Sequence, residues 1–187
     1  SGGTVVKNVT GYDLSKLVAG SFGTLVALTE ITLKVLPKKK SSNTITIHTE
    51  DKKLVNKLFE KISSSSSEIS GAVYIPEEPE MGDYDHNKEM VFKFNDLKFK
   101  GSFLALRVEG DKISIDEKIK TLIDELGLNK LNSTILDFYQ STPFWKKINN
   151  LELFKSTKNN LLRVVIPPSH GNKLMQYLGN KYKYYID

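Results

Sequence analysis

The chain has 187 residues, of which 39% are apolar and 26% charged, with a net charge of +5. That length suits one large or two small globular domains, and the balance excludes a disordered or collagen-like chain. Cysteine is absent, which excludes disulfides, thiolate metal sites and a cysteine nucleophile, and the only arginines are Arg107 and Arg163, an unpromising supply for a nucleic-acid surface.

The first stretch, Gly2 to Pro37, sets short apolar runs among Gly, Asn, Thr and Asp. Thr4–Val6 reads as a short strand. Leu14–Ala19 reads as one or two helical turns, with Asp13 as N-cap and Gly20 at the stop. Thr24–Leu36 reads as a long strand that places Ile31, Leu33 and Val35 on one face and Glu30, Thr32 and Lys34 on the other. The link Gly20-Ser21-Phe22-Gly23-Thr24 has two readings. It is an ordinary glycine stop followed by a turn, or its glycines aim successive N–H groups into an anion-holding concavity to which Ser21 and Thr24 add hydroxyl donors.

Residues 38–43, a lysine run after Pro37 and then serine and asparagine, read as a linker between a first domain at 1–37 and a second at 44–187. In the second, Thr44–His48 is a strand, and Thr49 caps a helix over Asp51–Ile62 with Leu54, Val55, Leu58, Phe59 and Ile62 on one face. Ser63–Ser67 is a serine loop. Ala72–Ile75 is a strand, residues 76–88 an acidic surface loop, and Met90–Phe94 and Ser102–Val108 two more strands, with a hinge at Gly101. Ser114 and Glu117 form a capping box for a helix over Ile115–Leu126, closed by Gly127. Then come a strand Ser133–Tyr139, a short helix Phe144–Asn150 after Pro143, a strand Leu161–Ile166, a helix from Ser169 to Leu178, and a last strand Tyr182–Ile186. This order predicts an α+β, ferredoxin-like domain: one mainly antiparallel sheet with helices on one face. The ends, SGGTVV without methionine and KYKYYID without a tail, are those expected of a piece of a longer protein. No apolar run is long enough to cross a membrane, and no signal peptide is visible.

The residues that carry chemistry are sparse. His48, His86 and His170 lack metal-ligand spacing, and the acids Glu77, Glu78, Glu80, Asp83 and Asp85 lack the spacing of a calcium loop. Arg107 and Arg163 sit in predicted strands. They are either surface-facing ends of buried strands or a bidentate clamp for a small carboxylate. No general base is evident.

One resemblance gives these residues a context. KNVTGYDL (Lys7–Leu14) and GSFGTL (Gly20–Leu25), followed by a strand ending in TLKVLP, resemble the end of the FAD-binding domain in FAD-linked D-2-hydroxyacid oxidoreductases, whose FAD domain is of the vanillyl-alcohol-oxidase type. PFWKKINNLELF, LLRVVIPPS and the closing YYID are similar to the E-type subunits of bacterial glycolate oxidases within that family. Val26 departs from the pattern, where relatives have glycine, and so does Asn149, where they have arginine. The resemblance implies the C-terminal remnant of an FAD domain followed by a cap domain. FAD would be held by Asn8, Thr10, Gly11, Tyr12, Asp13, Gly20, Ser21, Gly23, Thr24 and Leu28. It also implies oxidation of glycolate or a related 2-hydroxyacid to the 2-oxoacid, with a D subunit and an iron–sulfur F subunit as partners and no nucleic acid. The expected location is the cytoplasm, with any membrane association made through the complex. The N-terminal half of the FAD domain is expected to be missing, leaving the piece with weak or no FAD binding. The alternative role is a non-catalytic assembly subunit that keeps the FAD-domain fold.

Overall fold

The computed structural model describes residues 11–76, 91–94, 97–154, 160–178 and 184–187. The chain forms two compact units, Ser1–Lys38 and Lys39–Asp187. In the first, the described residues contain one short helix, α1 (Leu14–Val18), whose N-cap Asp13 accepts a hydrogen bond from the Lys16 amide at 3.0 Å. Gly20 stops it with a left-handed φ of +82°. The expected strand Thr24–Leu36 does not form, and Ile31, Leu33 and Val35 are all exposed. Alternation makes a strand only when a neighbouring edge takes up its N–H and C=O groups, and no described residue of this unit offers one.

The second unit is built on β1 (Ser41–His48), α2 (Lys52–Ser64), β2 (Ile69–Ile75), β5 (Phe103–Gly110), α3 (Lys112–Leu126) and β6 (Ser133–Leu136). Between β2 and β5, β3 (Val91–Phe94) and β4 (Leu97–Lys100) make a separate antiparallel pair. The main sheet runs β2-β5-β1-β6 with every neighbour antiparallel, so the chain is α+β. Residues opposite one another in the register share a face. Ile45 and Ile47 lie with Leu104, Leu106 and Tyr74 under α2, α3 and Met175 of α5 (Gly171–Leu178). Each fully buried Leu or Ile there contributes about 1.5–3 kcal/mol.

The opposite face corrects the expectation of helices on one side only. It carries Val73, Ile75, Phe103, Ala105 and Leu136, and is covered by Phe144, Trp145 and Ile148 of α4 (Phe138–Asn149). Ser42, Thr44 and Thr46 alternate along β1 on this face and look like a solvent side in the sequence, yet all three are buried. Their hydroxyls are satisfied there. Ser141 Oγ lies 3.0 Å from Ser42 Oγ and 2.7 Å from Thr44 Oγ1, while Trp145 Nε1 donates to Thr44 Oγ1 at 2.9 Å. Thr46 Oγ1 donates to the Thr134 carbonyl at 3.1 Å.

Several boundaries move for identifiable reasons. α4 begins five residues before Pro143, because Asp137 and Gln140 form a reciprocal capping box and the proline is tolerated inside. β6 accordingly ends at Leu136, not Tyr139. Replacing Asp137 by alanine is expected to cost about 1 kcal/mol in urea unfolding. α2 is capped by Asp51, which accepts from the Lys53 and Leu54 amides, and Thr49 accepts from Asp51 N one step upstream. α3 starts at Lys112 rather than Ile115. Ser114 donates to the Asp111 carbonyl instead of capping, and Gly127 ends the helix in the left-handed region as its position suggests. Leu161–Ile166 is irregular, with Leu161, Leu162, Val164 and Val165 exposed. Of the last predicted strand, Ile186 makes one antiparallel bridge to Tyr74 of β2. The acidic loop lies outside the described residues, apart from Pro76.

Candidate functional site

The glycine-rich turn of the first unit is compact. The Ser21 amide donates to the Val18 carbonyl at 3.1 Å, and the Thr24 amide and hydroxyl donate to the Ser21 carbonyl at 3.0 and 2.7 Å. Phe22 and Gly23 take positive φ values of +51° and +75°, those of a tight reversal. A bulky residue in that region is strained, and the Phe22 side chain is 98% exposed. Tyr12 is 94% exposed, and Leu28 is exposed as well. Gly11 also has a positive φ, and a side chain at Gly11, Gly20 or Gly23 would meet no atom within 4 Å. These glycines are therefore required by backbone conformation, and the space beside them is open to a ligand. Asp13 is engaged as the α1 cap, and Asn8 and Thr10 lie outside the described residues.

In the second unit, Arg107 sits on the α4 face of β5. Its Nε donates to Ser70 Oγ at 3.0 Å and its terminal NH2 to the Ser70 carbonyl at 2.9 Å. Glu109 lies 3.7 Å from Nε, and the guanidinium carbon stands 4.9 Å from the centre of the Trp145 ring. Gly71 makes this possible, because an added Cβ there would stand 3.1 Å from Trp145 and 3.4 Å from Arg107 Nε. Arg163 is placed differently. It lies outside any strand, its side chain is 84% exposed, and it is 3.9 Å from Asp187. The two arginines have different contact partners, so the described contacts do not bring them together as a clamp.

No described group of His, Asp and Glu can hold a metal ion. His170 is exposed beside Ser169, with Ser169 Oγ 3.2 Å from Nδ1, and His48 closes β1. Burial pushes the Tyr74 phenol up, opposed by hydrogen bonding with Ser102 and reinforced by Glu50. Burial, then the neighbouring Tyr74, raises Tyr184. With both phenols raised in this way, they stay protonated at neutral pH and are not bases. Two polar clusters emerge only in the structure: the Ser42–Thr44–Ser141–Trp145 seam and a serine cradle around Glu125. Their signals in the sequence are every second residue of β1 and five consecutive serines.

No family model matches the chain. Over 41 residues, 22% of this chain, it is 61% identical to glycolate oxidase subunit GlcE of Escherichia coli (strain K12), covering 12% of that protein. Over 73 residues, 39% of this chain, it is 37% identical to glycolate oxidase subunit GlcD of Bacillus subtilis (strain 168), covering 13% of that protein. The chain is thus an α+β protein related to oxidoreductase subunits. The relatives that define this kinship are glycolate oxidase subunits, matched over a small part of their length. No described helix is long and apolar enough to cross a membrane.

Proposed function

We propose that the chain belongs to the FAD-binding subunit of a glycolate oxidase complex that oxidises glycolate or a related 2-hydroxyacid to the 2-oxoacid. The observation that carries this reading is the 61% identity to GlcE over 41 residues. In this reading residues 1–37 are the C-terminal part of a vanillyl-alcohol-oxidase-type FAD domain, 38–43 a linker and 44–187 a ferredoxin-like cap. The βαββαβ order of β1, α2, β2, β5, α3 and β6, with the sheet order β6-β1-β5-β2, supports the cap assignment. A D subunit and an iron–sulfur F subunit are the proposed partners, with a cytoplasmic location.

The open, positive-φ glycines fit a chain that approaches a pyrophosphate closely. Asn8, Thr10, Gly11, Tyr12, Gly20, Ser21, Gly23, Thr24 and the backbone at Leu28 would hold the adenine and pyrophosphate half of FAD, with Asp13 fixing α1 beside them. When bound, the flavin supplies the hydride acceptor for the substrate α-carbon. Arg107 is committed to Ser70 and Glu109, so Arg163 is the arginine left to orient a substrate carboxylate.

Calorimetric titration of FAD into the 187-residue chain tests the turn. Half of a nanomolar-class binding free energy, about 6 kcal/mol, corresponds to tens of micromolar, and that is the affinity expected if this segment supplies one wall of the site. Gly23→Val, which forces a branched side chain to a φ of +75°, is expected to abolish the heat signal. Binding that survives this change unaltered removes the turn from the cofactor site. A second reading, a non-catalytic assembly subunit, is favoured by one observation: the Thr24 hydroxyl and the Ser21 and Thr24 amides are already bonded within the turn. Natural full-length protein that copurifies with its D partner but without flavin would select it.

A further inference from the structure

The connection between α2 and β2, a serine loop in the sequence, is fastened to α3 at two points. Ser65 Oγ and Ser67 Oγ donate to Glu125 Oε2 at 2.5 and 3.1 Å, and Ser66 Oγ donates to Oε1 at 2.9 Å. Ser65 Oγ also accepts from the Ser67 amide at 3.0 Å, which curls the three hydroxyls toward one carboxylate. Glu68, the next residue, meets Lys118 Nζ at 2.7 Å. Glu125 and Lys118 stand seven residues apart on α3, two helical turns along one side. The fasteners have opposite origins: in one the helix supplies the carboxylate, in the other the loop does.

The start of β2, directly after the loop, gives this fastening a consequence. β2 begins at Ile69, its register with β5 shifts between Ile69 and Gly71, and Ser70 in that irregularity holds Arg107 through both its hydroxyl and its carbonyl. Arg107 in turn lies against Trp145. We propose that the Ser65–Ser70 connection is an acid-releasable latch, closed by two ionised carboxylates, that holds the start of β2 and its hook on Arg107 in place.

The groups facing the two carboxylates both favour the ionised form. Hydrogen bonds from Ser65 and Ser66 hold Glu125 below the usual glutamate range, with burial opposing and Ser67 assisting. Hydrogen bonding and charge from Lys118, then the charge of Lys39, hold Glu68 down. A carboxyl whose folded pKa is depressed stabilises its closed form above the ordinary range and loses that contribution as pH falls through the folded value. Both fasteners therefore release in the same direction, on acidification. The neighbouring Asp124 is engaged elsewhere, accepting from Asn129 Nδ2 at 3.1 Å.

The latch is independent of the oxidoreductase reading and is tested on the whole chain by amide hydrogen exchange. After correction for the intrinsic pH dependence of exchange, amides 65–70 are expected to exchange several-fold faster at about pH 3 than at pH 7, while β5 stays protected. Glu125→Gln, an exposed and isosteric change, is expected to raise exchange of the same segment at pH 7 and to reduce its pH response to the part carried by Glu68 and Lys118. The triple change of Ser65, Ser66 and Ser67 to alanine is expected to do the same from the other side. Emission of Trp145, the only tryptophan, is expected to shift over the same pH interval as the Ser70 hook loosens. A wild-type segment whose protection is unchanged by acid, or a Glu125→Gln segment as protected as wild type at pH 7, overturns the latch.

Discussion

Replacing Trp145 by alanine is expected to destabilise the second unit by roughly 3–5 kcal/mol. Trp145 is buried, packs edge-on to Phe144 with ring centroids 5.6 Å apart, and closes the α4 face with Phe103, Ala105 and Ile148. Its removal leaves a cavity between α4 and the sheet, and Gly71, with no side chain, cannot fill it. Thr44 also loses the indole N–H as a donor, although Ser141 still reaches it. Trp145→Phe separates the two contributions. It keeps most of the ring and loses the indole hydrogen bond, so about 1 kcal/mol attaches to the polar part, plus some loss of ring volume. Urea unfolding followed by far-ultraviolet circular dichroism measures both. An alanine variant within about 1 kcal/mol of wild type would show that α4 is an appendage and not one of the sheet's two covers.

That face also shows where sequence reading stops. The strands β1, β2 and β5 and the helices α2 and α3 are legible because Ile45, Ile47, Leu104 and Leu106 alternate, while Leu54, Val55, Leu58 and Ile115, Ile119, Leu122, Leu126 recur at helical spacing. The other side of β1 is legible only in part. Ser42, Thr44 and Thr46 satisfy the strand alternation equally well in water or beneath a helix that brings matching hydroxyl and indole groups. Hydropathy does not separate these cases, and the partner Ser141 lies 99 residues from Ser42. The strands expected at Thr24–Leu36 and Leu161–Ile166 do not form, for the converse reason. Their apolar alternation is real, but a strand is defined by its neighbour, and the described residues supply no neighbour to either.

The candidate site residues are legible to a different depth. The left-handed glycines of the first unit follow from the motif itself, since a helix stop and a tight turn within five residues demand glycine. The internal bonding of that turn does not follow. Whether Thr24 offers its hydroxyl outward or spends it on the Ser21 carbonyl is decided by a single rotamer. The five serines show only composition, because the group that three of them surround, Glu125, lies at the far end of another helix.

Arg107 and Arg163 are expected to separate cleanly on substitution, one in stability and the other in ligand response. The Arg107 guanidinium makes two hydrogen bonds to Ser70, stands 3.7 Å from Glu109 and covers Trp145, with the side chain 24% exposed. Hydrogen bonds to a charged group contribute about 1.5–3 kcal/mol, discounted here for partial solvent access, and methionine preserves the packing of the stem. Arg107→Met is therefore expected to cost about 2 kcal/mol, which lowers the thermal midpoint of a domain this size by roughly 4–8 °C. Arg107→Lys is expected to recover less than half of the loss, because an ammonium lacks the fork that reaches the Ser70 hydroxyl and carbonyl together. Arg163, exposed and 3.9 Å from Asp187, is expected to leave stability within about 0.5 kcal/mol when changed to methionine. The ligand response runs the other way. A 2-hydroxyacid at about 100 times its dissociation constant stabilises a protein that binds it by about 2.7 kcal/mol. Under the proposed function, in which the natural complex holds flavin and Arg163 orients the substrate carboxylate, that stabilisation is expected to persist in Arg107→Met and to shrink in Arg163→Met. Thermal scans of the three proteins with and without glycolate read both effects. If Arg107→Met abolishes the glycolate response at unchanged stability, the Ser70 contacts are incidental and Arg107 is the carboxylate-binding arginine.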